Sequence, residues 1–476
     1  MTELRSWWSG SPEPDTLEPP ASFDTKPLKD GDLSGPETEH PLTRRIHILG
    51  LGSIGTFVAH SLRCLPNPPP ITLMIHKRQQ YEEFKRTGRV ISLINKESEI
   101  NDEQRGFDVD LFEGTTAERT GQWKYIPDQE WMKEVSNPVE EGEMLPSGEL
   151  YIYCLIVAVK GHATVSALQS VKHRVDARTT ICFMQNGLGQ IDELNREVFT
   201  DPRTRPTYLQ GVVSHGVYMT DPTTVVYAGL GTVALGICRD GDRYPLPPKT
   251  WNHNISELSE EERRKFHPTD KELFANLSSR YLLRTLTRSP VLACAAFPYL
   301  DLLQLQLEKL ALNCVLNPLT ALLDVPNGTL LYNNELATVE RMLLAEISLV
   351  IRGLPELEGI PNVRGRFSAK RLEQLCHAIT QRTAKNSSSM REDMRNGKKP
   401  ELDYINGYII RRGEEQGVKC ALNFMLMQLV KGKHLFTKPG DAVPYATKRI
   451  RIQSDDADQP GTVTLSDEST PPRGSL

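Results

Sequence analysis

The stretch Arg45-Ile46-His47-Ile48-Leu49-Gly50-Leu51-Gly52-Ser53-Ile54-Gly55 decides how this chain is read. Its first five residues form a short apolar strand, and the run from Thr56 to Leu65 is helical until Pro66 stops it. Glycines at the first, third and sixth places between a strand and a helix bring main chain close to the phosphates of a dinucleotide. Gly50 allows the tight turn, Gly52 lets backbone amides approach a pyrophosphate, and Gly55 lets the helix pack closely on the strand. The helix start adds unpaired N–H groups and the positive end of a dipole. Residues Gly50 to Gly55 are therefore the expected cofactor loop, with a purely structural glycine turn as the competing explanation.

A second strand, Ile71-Thr72-Leu73-Met74-Ile75, leads into His76-Lys77-Arg78. A carboxylate about 20 residues after the glycines would hold the ribose 2′-hydroxyl of NAD and repel a 2′-phosphate. Cations attract that phosphate and bond to it, so Lys77 and Arg78 point to NADP(H), the alternative being a solvated basic turn. Further on, Leu150–Val159 and Thr180–Met184 read as buried parallel strands. They end at Lys160-Gly161 and at Gln185-Asn186-Gly187-Leu188-Gly189. Strand ends line the crevice of an open α/β sheet, so Lys160 and Asn186 are expected to face the cofactor, although each is also an ordinary surface or turn residue. Residues 207–218 and 224–237 alternate enough to be an antiparallel pair completing the sheet.

Working outward, the whole chain has 476 residues, a net charge of −5 and mean hydropathy of −0.40. That balance argues against a dedicated nucleic-acid binder, and no run of 18 apolar residues marks a membrane span. The eight cysteines are scattered without a CxxC pair, so neither a disulfide scaffold nor a zinc ribbon is expected, and no metal site. Residues 1–43 hold seven prolines and nine acidic residues against three basic ones. Such a composition cannot bury enough surface to order itself. It lacks the features of a secretory or mitochondrial leader, and a cytoplasmic protein is expected. Trp7-Trp8 is its one unusual feature, read as stray aromatics or a docking motif. Residues 437–476 are polar again. The reading is therefore a disordered arm (1–43), an α/β dinucleotide-binding domain (44–300) with insertions near 98–147 and 239–270, a helical domain (301–436) and a disordered tail (437–476).

The helical half begins near Leu302, with Gln304–Val315 and further amphipathic segments at 334–353, 368–385, 401–416 and 421–432. In the first, Lys309, Asn313 and Asn317 recur at i, i+4 and i+8, a polar stripe on an apolar helix. Such a stripe is costly unless hydrogen-bonded or facing a cleft, and the pattern alone leaves a catalytic row and pairing with a neighbouring helix equally open. Pro318 removes a donor and leaves the Cys314 carbonyl without its helical partner, so a kink is expected.

Lys309-Leu-Ala-Leu-Asn313-Cys-Val-Leu-Asn317-Pro, continuing to Pro326-Asn327-Gly328, resembles the signature helix of the ketopantoate (2-dehydropantoate 2-) reductases. Ser388-Ser389-Met390-x-x-Asp393, Glu401-x-Asp403-Tyr404-Ile405-Asn406-Gly407, the NGLG at 186–189 and the glycine loop complete the set in the family's order. The resemblance spans about Arg45 to Lys433, apart from the two insertions. It implies a Rossmann domain followed by an all-helical domain of the 6-phosphogluconate dehydrogenase C-terminal type, with the site between them. On this resemblance Lys309 is the general acid. Asn313, Asn317, Asn327 and Ser389 bind substrate, with Asn186 beside them at the nicotinamide end of NADP(H). Lys160 lies near the adenosine phosphate and Glu401 helps bind ligands across the cleft. Two places depart from the pattern. Ala163 stands where the family usually has a glutamine beside the adenine, and His76 where an arginine commonly ends the second strand.

The implied activity is NADPH-dependent reduction of ketopantoate to pantoate, in pantothenate biosynthesis, by a monomer or homodimer with no nucleic-acid or membrane partner. Two alternatives stand beside it: a reductase of a different 2-keto acid, and a non-catalytic binding or regulatory protein on the same scaffold.

Overall fold

The structure is a computed structural model, described over residues 43–96, 99–115, 120–128, 145, 148–229, 231–244 and 275–436. The arm up to residue 42, the tail from 437 and residues 245–270 of the second expected insertion lie outside the described residues.

The strand that opens the chain, β1 (Ile46–Leu49), leads through the glycines into α1 (Ser53–Arg63) and then β2 (Ile71–Ile75) and α2 (Arg78–Arg86). β3 (Ile91–Asn95) and β4 (Asn101–Gln104) form a hairpin, followed by β5 (Phe107–Thr115) and β6 (Thr120–Ile126). β7 (Cys154–Val157), α3 (Thr164–Gln169), β8 (Thr180–Phe183), α4 (Gln190–Glu197) and β9 (Thr207–Val213) build the other half. The sheet is completed after β10 (Gly216–Asp221) and β11 (Thr224–Gly229) by β12 (Val233–Ile237), α5 (Leu277–Thr287) and β13 (Cys294–Ala296).

The nine-stranded sheet runs β13-β12-β9-β8-β7-β1-β2-β5-β6. Its six middle strands, β5 to β9 in that order, are parallel. Numbered along the chain, those six have the dinucleotide-fold order 3-2-1-4-5-6, with the reversal between β1 and β7. Side chains alternate between the two faces. Ile46, Ile48, Ile71 and Leu73 pack with Phe57 and Leu62 of α1, while Leu49, Met74, Leu155 and Val157 pack with Leu168 and Leu194 on the other face.

Two expectations are corrected here. Within the first expected insertion, β5 is the third core strand, with Phe107 and Val109 fully buried, and β6 pairs with it along the sheet edge. Its alternate residues include Asp108 and Asp110, and these buried carboxylates meet Arg45 and Arg174. The expected pair at 207–218 and 224–237 is also split. β9 joins the main sheet parallel to β8, and β12 lies antiparallel on β9. β10 and β11 leave to form a second sheet, β10-β11-β3-β4. This small sheet covers α1, where the Phe57 ring stacks on Tyr227 at 5.6 Å.

The helical half is organised on α6 (Tyr299–Leu323), one 25-residue helix that continues through Pro318. Its Leu307, Leu310, Ala311, Cys314 and Val315 are at most 2% exposed, as expected of a helix enclosed on nearly all sides. Around it stand α7 (Asn334–Arg352), the short α8 (Val363–Arg366), α9 (Ala369–Arg382), α10 (Ser389–Arg395), α11 (Asn406–Glu415) and α12 (Ala421–Phe436). The segment expected to be helical from 401 starts regular helix only at Asn406, after a single tight turn at Leu402–Tyr404. The carbonyl freed by Pro318 is satisfied: Asn406 Nδ2 donates to Cys314 O at 2.8 Å. The proline therefore exchanges one backbone bond for a tie between α6 and α11.

Candidate active site

The glycine loop has the geometry its residues demand. Gly50 sits at φ +100°, and a Cβ there would lie 2.6 Å from the Val159 nitrogen. At Gly55 a Cβ would lie 2.0 Å from the Gly50 carbonyl oxygen. Gly52 differs. A Cβ there would meet nothing within 4 Å, so the space above it is open. Gly52 is also the N-cap of α1, with no side-chain cap and no acidic residue in the first turn. The first-turn amides, beginning at Ser53, thus face that space with the positive end of the helix, as a pyrophosphate requires. Leu51 and Ile54 pack against the sheet core and anchor the loop. The residues present fit a dinucleotide.

At the far side of the crevice, His76 is packed against Trp123 at 4.9 Å and Phe112 at 5.8 Å. Burial lowers its pKa, so its ring is neutral at pH 7. Lys77 is the N-cap of α2 and Arg78 its first residue, both exposed. Any 2′-phosphate there would meet these two cations and not the histidine.

Lys160 and Asn186 both stand just beyond the carboxyl ends of their strands, β7 and β8, and both contact the helical domain. Lys160 Nζ donates to Asp393 at 2.7 Å and Glu401 at 3.3 Å, while Gly161 N donates to the other Glu401 oxygen at 2.8 Å. Burial lowers the Lys160 pKa, but the two carboxylates outweigh it and the net shift is upward. Gly187, at φ +80°, lies under Tyr404, whose carbonyl accepts from Leu188 N at 2.8 Å. These contacts close the two domains on each other at one end of the cleft.

Lys309 comes from α6. Its Nζ donates to Asn186 Oδ1 at 2.8 Å and to the Val213 carbonyl at 2.5 Å. Burial pushes its pKa down to about 8, with the Glu401 charge opposing. An ammonium has three donors, so one N–H remains for a ligand. Lys309 and Asn313 line one cavity with Gln185, Asn186 and Gln306. One and two turns further along α6 come Asn313 and the buried Asn317. Thr320, three residues past Asn317, is joined to Ser388 Oγ at 2.7 Å, which brings the start of α10 and the exposed Ser389 beside the stripe. Asn327 is buried. Its Nδ2 donates to Thr383 at 3.0 Å, and among the described residues its Oδ1 has no partner.

Four contributors escaped the sequence reading in this role: Gln306, Gln185, the Val213 carbonyl and Asp393. Gln306 had a signal, since it lies three residues before Lys309 and extends the same polar stripe. Asp393 had only its motif. A main-chain carbonyl carries no sequence signal at all.

Residues 46–240 match the family model for ketopantoate reductase PanE/ApbA, and residues 301–434 match the model for its C-terminal domain. The chain belongs to the ketopantoate reductase family. A probable 2-dehydropantoate 2-reductase of Schizosaccharomyces pombe is 27% identical over 405 residues, covering 82% of this chain and 97% of that protein. The 2-dehydropantoate 2-reductase of Saccharomyces cerevisiae is 25% identical, covering 82% and 94%. A ketoisovalerate reductase of Gibberella fujikuroi is also 25% identical, covering 77% and 78%. Among solved structures, D-mandelate dehydrogenase with NADH and anilino(oxo)acetate aligns at a TM-score of 0.57 with 18% identity, over 83% of this chain and 99% of that one. That likeness is one of fold. The family supports an oxidoreductase using a nicotinamide dinucleotide, and among the described residues no helix is long and apolar enough to cross a membrane.

Proposed function

We propose that this ketopantoate reductase family member reduces 2-dehydropantoate to pantoate with NADPH, and that Lys309 is its general acid. The observation that carries the reading is the half-buried Lys309 ammonium, held between Asn186 and the Val213 carbonyl with its pKa lowered to about 8. An acid whose pKa lies near the working pH is both protonated and willing to release its proton.

The nicotinamide supplies hydride to the keto carbon when bound. The Lys309 Nζ–H gives a proton to the carbonyl oxygen and regains one from solvent, so one ketone, one NADPH and one proton become one alcohol and one NADP⁺. Before that step the same N–H polarises the carbonyl. Asn313, Asn317, Asn327 and Ser389 orient the hydroxyl and carboxylate of the substrate. Asn327 Oδ1, unpartnered among the described residues, is an acceptor suited to a ligand hydroxyl. Gly50 to Gly55, Lys77, Arg78 and Lys160 hold the cofactor phosphates, and Glu401 sets the position of Lys160 and the field at Lys309. Pantothenate biosynthesis is the pathway this reaction serves.

A second reading keeps the chemistry and changes the acid. The ketoisovalerate reductase relative supports it, since ketoisovalerate lacks only the hydroxymethyl group of ketopantoate. Purified protein assayed for NADPH oxidation across a panel of 2-keto acids separates the two. The proposal requires the highest kcat/KM with ketopantoate. A higher value with ketoisovalerate transfers the reading to that substrate. Cofactor binding with no turnover of any acid makes the chain a binding protein.

A further inference from the structure

At the end of α1 remote from the glycine loop, three side chains of metal-ligating type meet, the one such cluster found among the described residues. His60 is fully buried in the last turn of α1, Cys64 follows it by four residues as the helix cap, and Asp102 reaches in from β4 of the small sheet. Cys64 Sγ lies 3.6 Å from His60 Nδ1 and 3.5 Å from Asp102 Oδ2. A tetrahedral zinc ion, with ligands at about 2.0–2.3 Å, sets its sulfur–nitrogen and sulfur–oxygen edges at roughly 3.6 Å. The two edges at the sulfur already have that length.

The imidazole is also oriented as a metal ligand is. His60 Nε2 lies 3.0 Å from the Asp102 main-chain carbonyl. A carbonyl only accepts, so Nε2 carries the proton and the lone pair is on Nδ1, the nitrogen next to Cys64. Fixing the tautomer through the second nitrogen is the usual way a protein prepares a histidine for a metal. Asp102 Oδ1 accepts from Gln104 Nε2 at 3.1 Å, while its Oδ2 lies 3.6 Å from His60 Nε2, so the carboxylate turns toward Nδ1 to complete the set. The Asp102 side chain is 51% exposed, which gives an ion a route in and room for a water.

We propose that His60 Nδ1, Cys64 Sγ and Asp102 Oδ2 bind one zinc-type divalent ion, with water as the fourth ligand, and that the ion pins the β3–β4 hairpin to α1. The mixed N, S, O set favours zinc over the hard, all-oxygen cations. The ion takes no part in this family's reaction, because His60 stands eight residues, about 12 Å of helix rise, beyond Gly52 of the glycine loop. Binding releases the Cys64 thiol proton as the sulfur–metal bond forms.

Chelator-treated full-length protein titrated with Co²⁺ tests the site. One equivalent should bind with the visible bands of a four-coordinate ion and a near-ultraviolet thiolate-to-cobalt band. Zn²⁺ should displace it and should raise the melting temperature of the metal-free protein. Cys64→Ser should abolish the thiolate band. Asp102→Asn, at an exposed position, should weaken binding about 10-fold or more. Melts of both variants without metal establish that they fold. Octahedral cobalt alone, or a thiolate band that survives in folded Cys64→Ser, would overturn the proposal.

Discussion

Lys309 on α6 and Asn186 at the end of β8 are joined at 2.8 Å across the cleft, so the proposed proton donor is held by the Rossmann domain. The bond places the ammonium where the crevice of the sheet meets the polar stripe of the helix. Lys309→Ala should lower kcat by about 10²- to 10⁴-fold, the usual contribution of a positioned proton donor. Cofactor affinity should change little, because the glycine loop makes none of the contacts that Lys309 makes. A single-turnover rate, a cofactor titration and a melt on the variant check this. A folded variant with near-normal turnover would refute the assignment.

The pH profile follows from the same residue. A general acid must enter the reaction protonated, and burial sets the Lys309 pKa near 8. The kcat/KM for reduction should therefore be level below that pH and fall tenfold per unit above it. The Glu401 carboxylate raises the Lys309 pKa, so in Glu401→Gln the alkaline limb should move to lower pH. A limb that stays in place, measured from pH 6 to 10, would show that the Glu401 charge does not reach the acid.

The parts legible in sequence were those built from neighbours along the chain. The glycine loop is eleven residues of strand, turn and helix, and the Lys309 stripe is one face of one helix. What escaped was built from residues far apart. β5 reads as charged because Asp108 and Asp110 are buried, and the arginines that neutralise them are 63 and 64 residues away. The division of residues 207–237 between two sheets depends on α1, whose Phe57 and His60 give the small sheet something to cover. Pro318 was legible as a lost hydrogen bond, but its replacement by Asn406, 92 positions from Cys314, was not.

Cofactor preference should depend on two exposed cations. His76 is neutral and packed away against Trp123, leaving Lys77 and Arg78 to meet a 2′-phosphate. NADPH should be used at least about tenfold more efficiently than NADH, equivalent to roughly 1.4 kcal/mol, as one or two charge-assisted contacts provide. Replacing both cations by neutral residues should weaken NADPH and leave NADH nearly unchanged. Equal kcat/KM for the two cofactors in the unaltered protein would remove the basis for this preference.

The second expected insertion can be shortened only from the right residue. Composition marks its start at 239, yet Asp240 and Asp242 both lie 2.8 Å from the guanidinium of Arg205, whose side chain is 1% exposed. Arg243 in turn donates to the Pro202 and Arg205 carbonyls at 2.6 and 2.9 Å. Residues 245–270 replaced by a short Gly/Ser linker should leave a cooperative melt and full cofactor binding, the outcome expected of a segment that belongs to neither core. Extending the removal through Asp240 and Asp242 strands Arg205 as an unpaired buried charge, at a cost of about 3–5 kcal/mol. Urea unfolding of the two deletions side by side measures the difference. Equal midpoints would mean that Arg205 finds other partners, and a failure of the shorter deletion to fold would place 245–270 in a core.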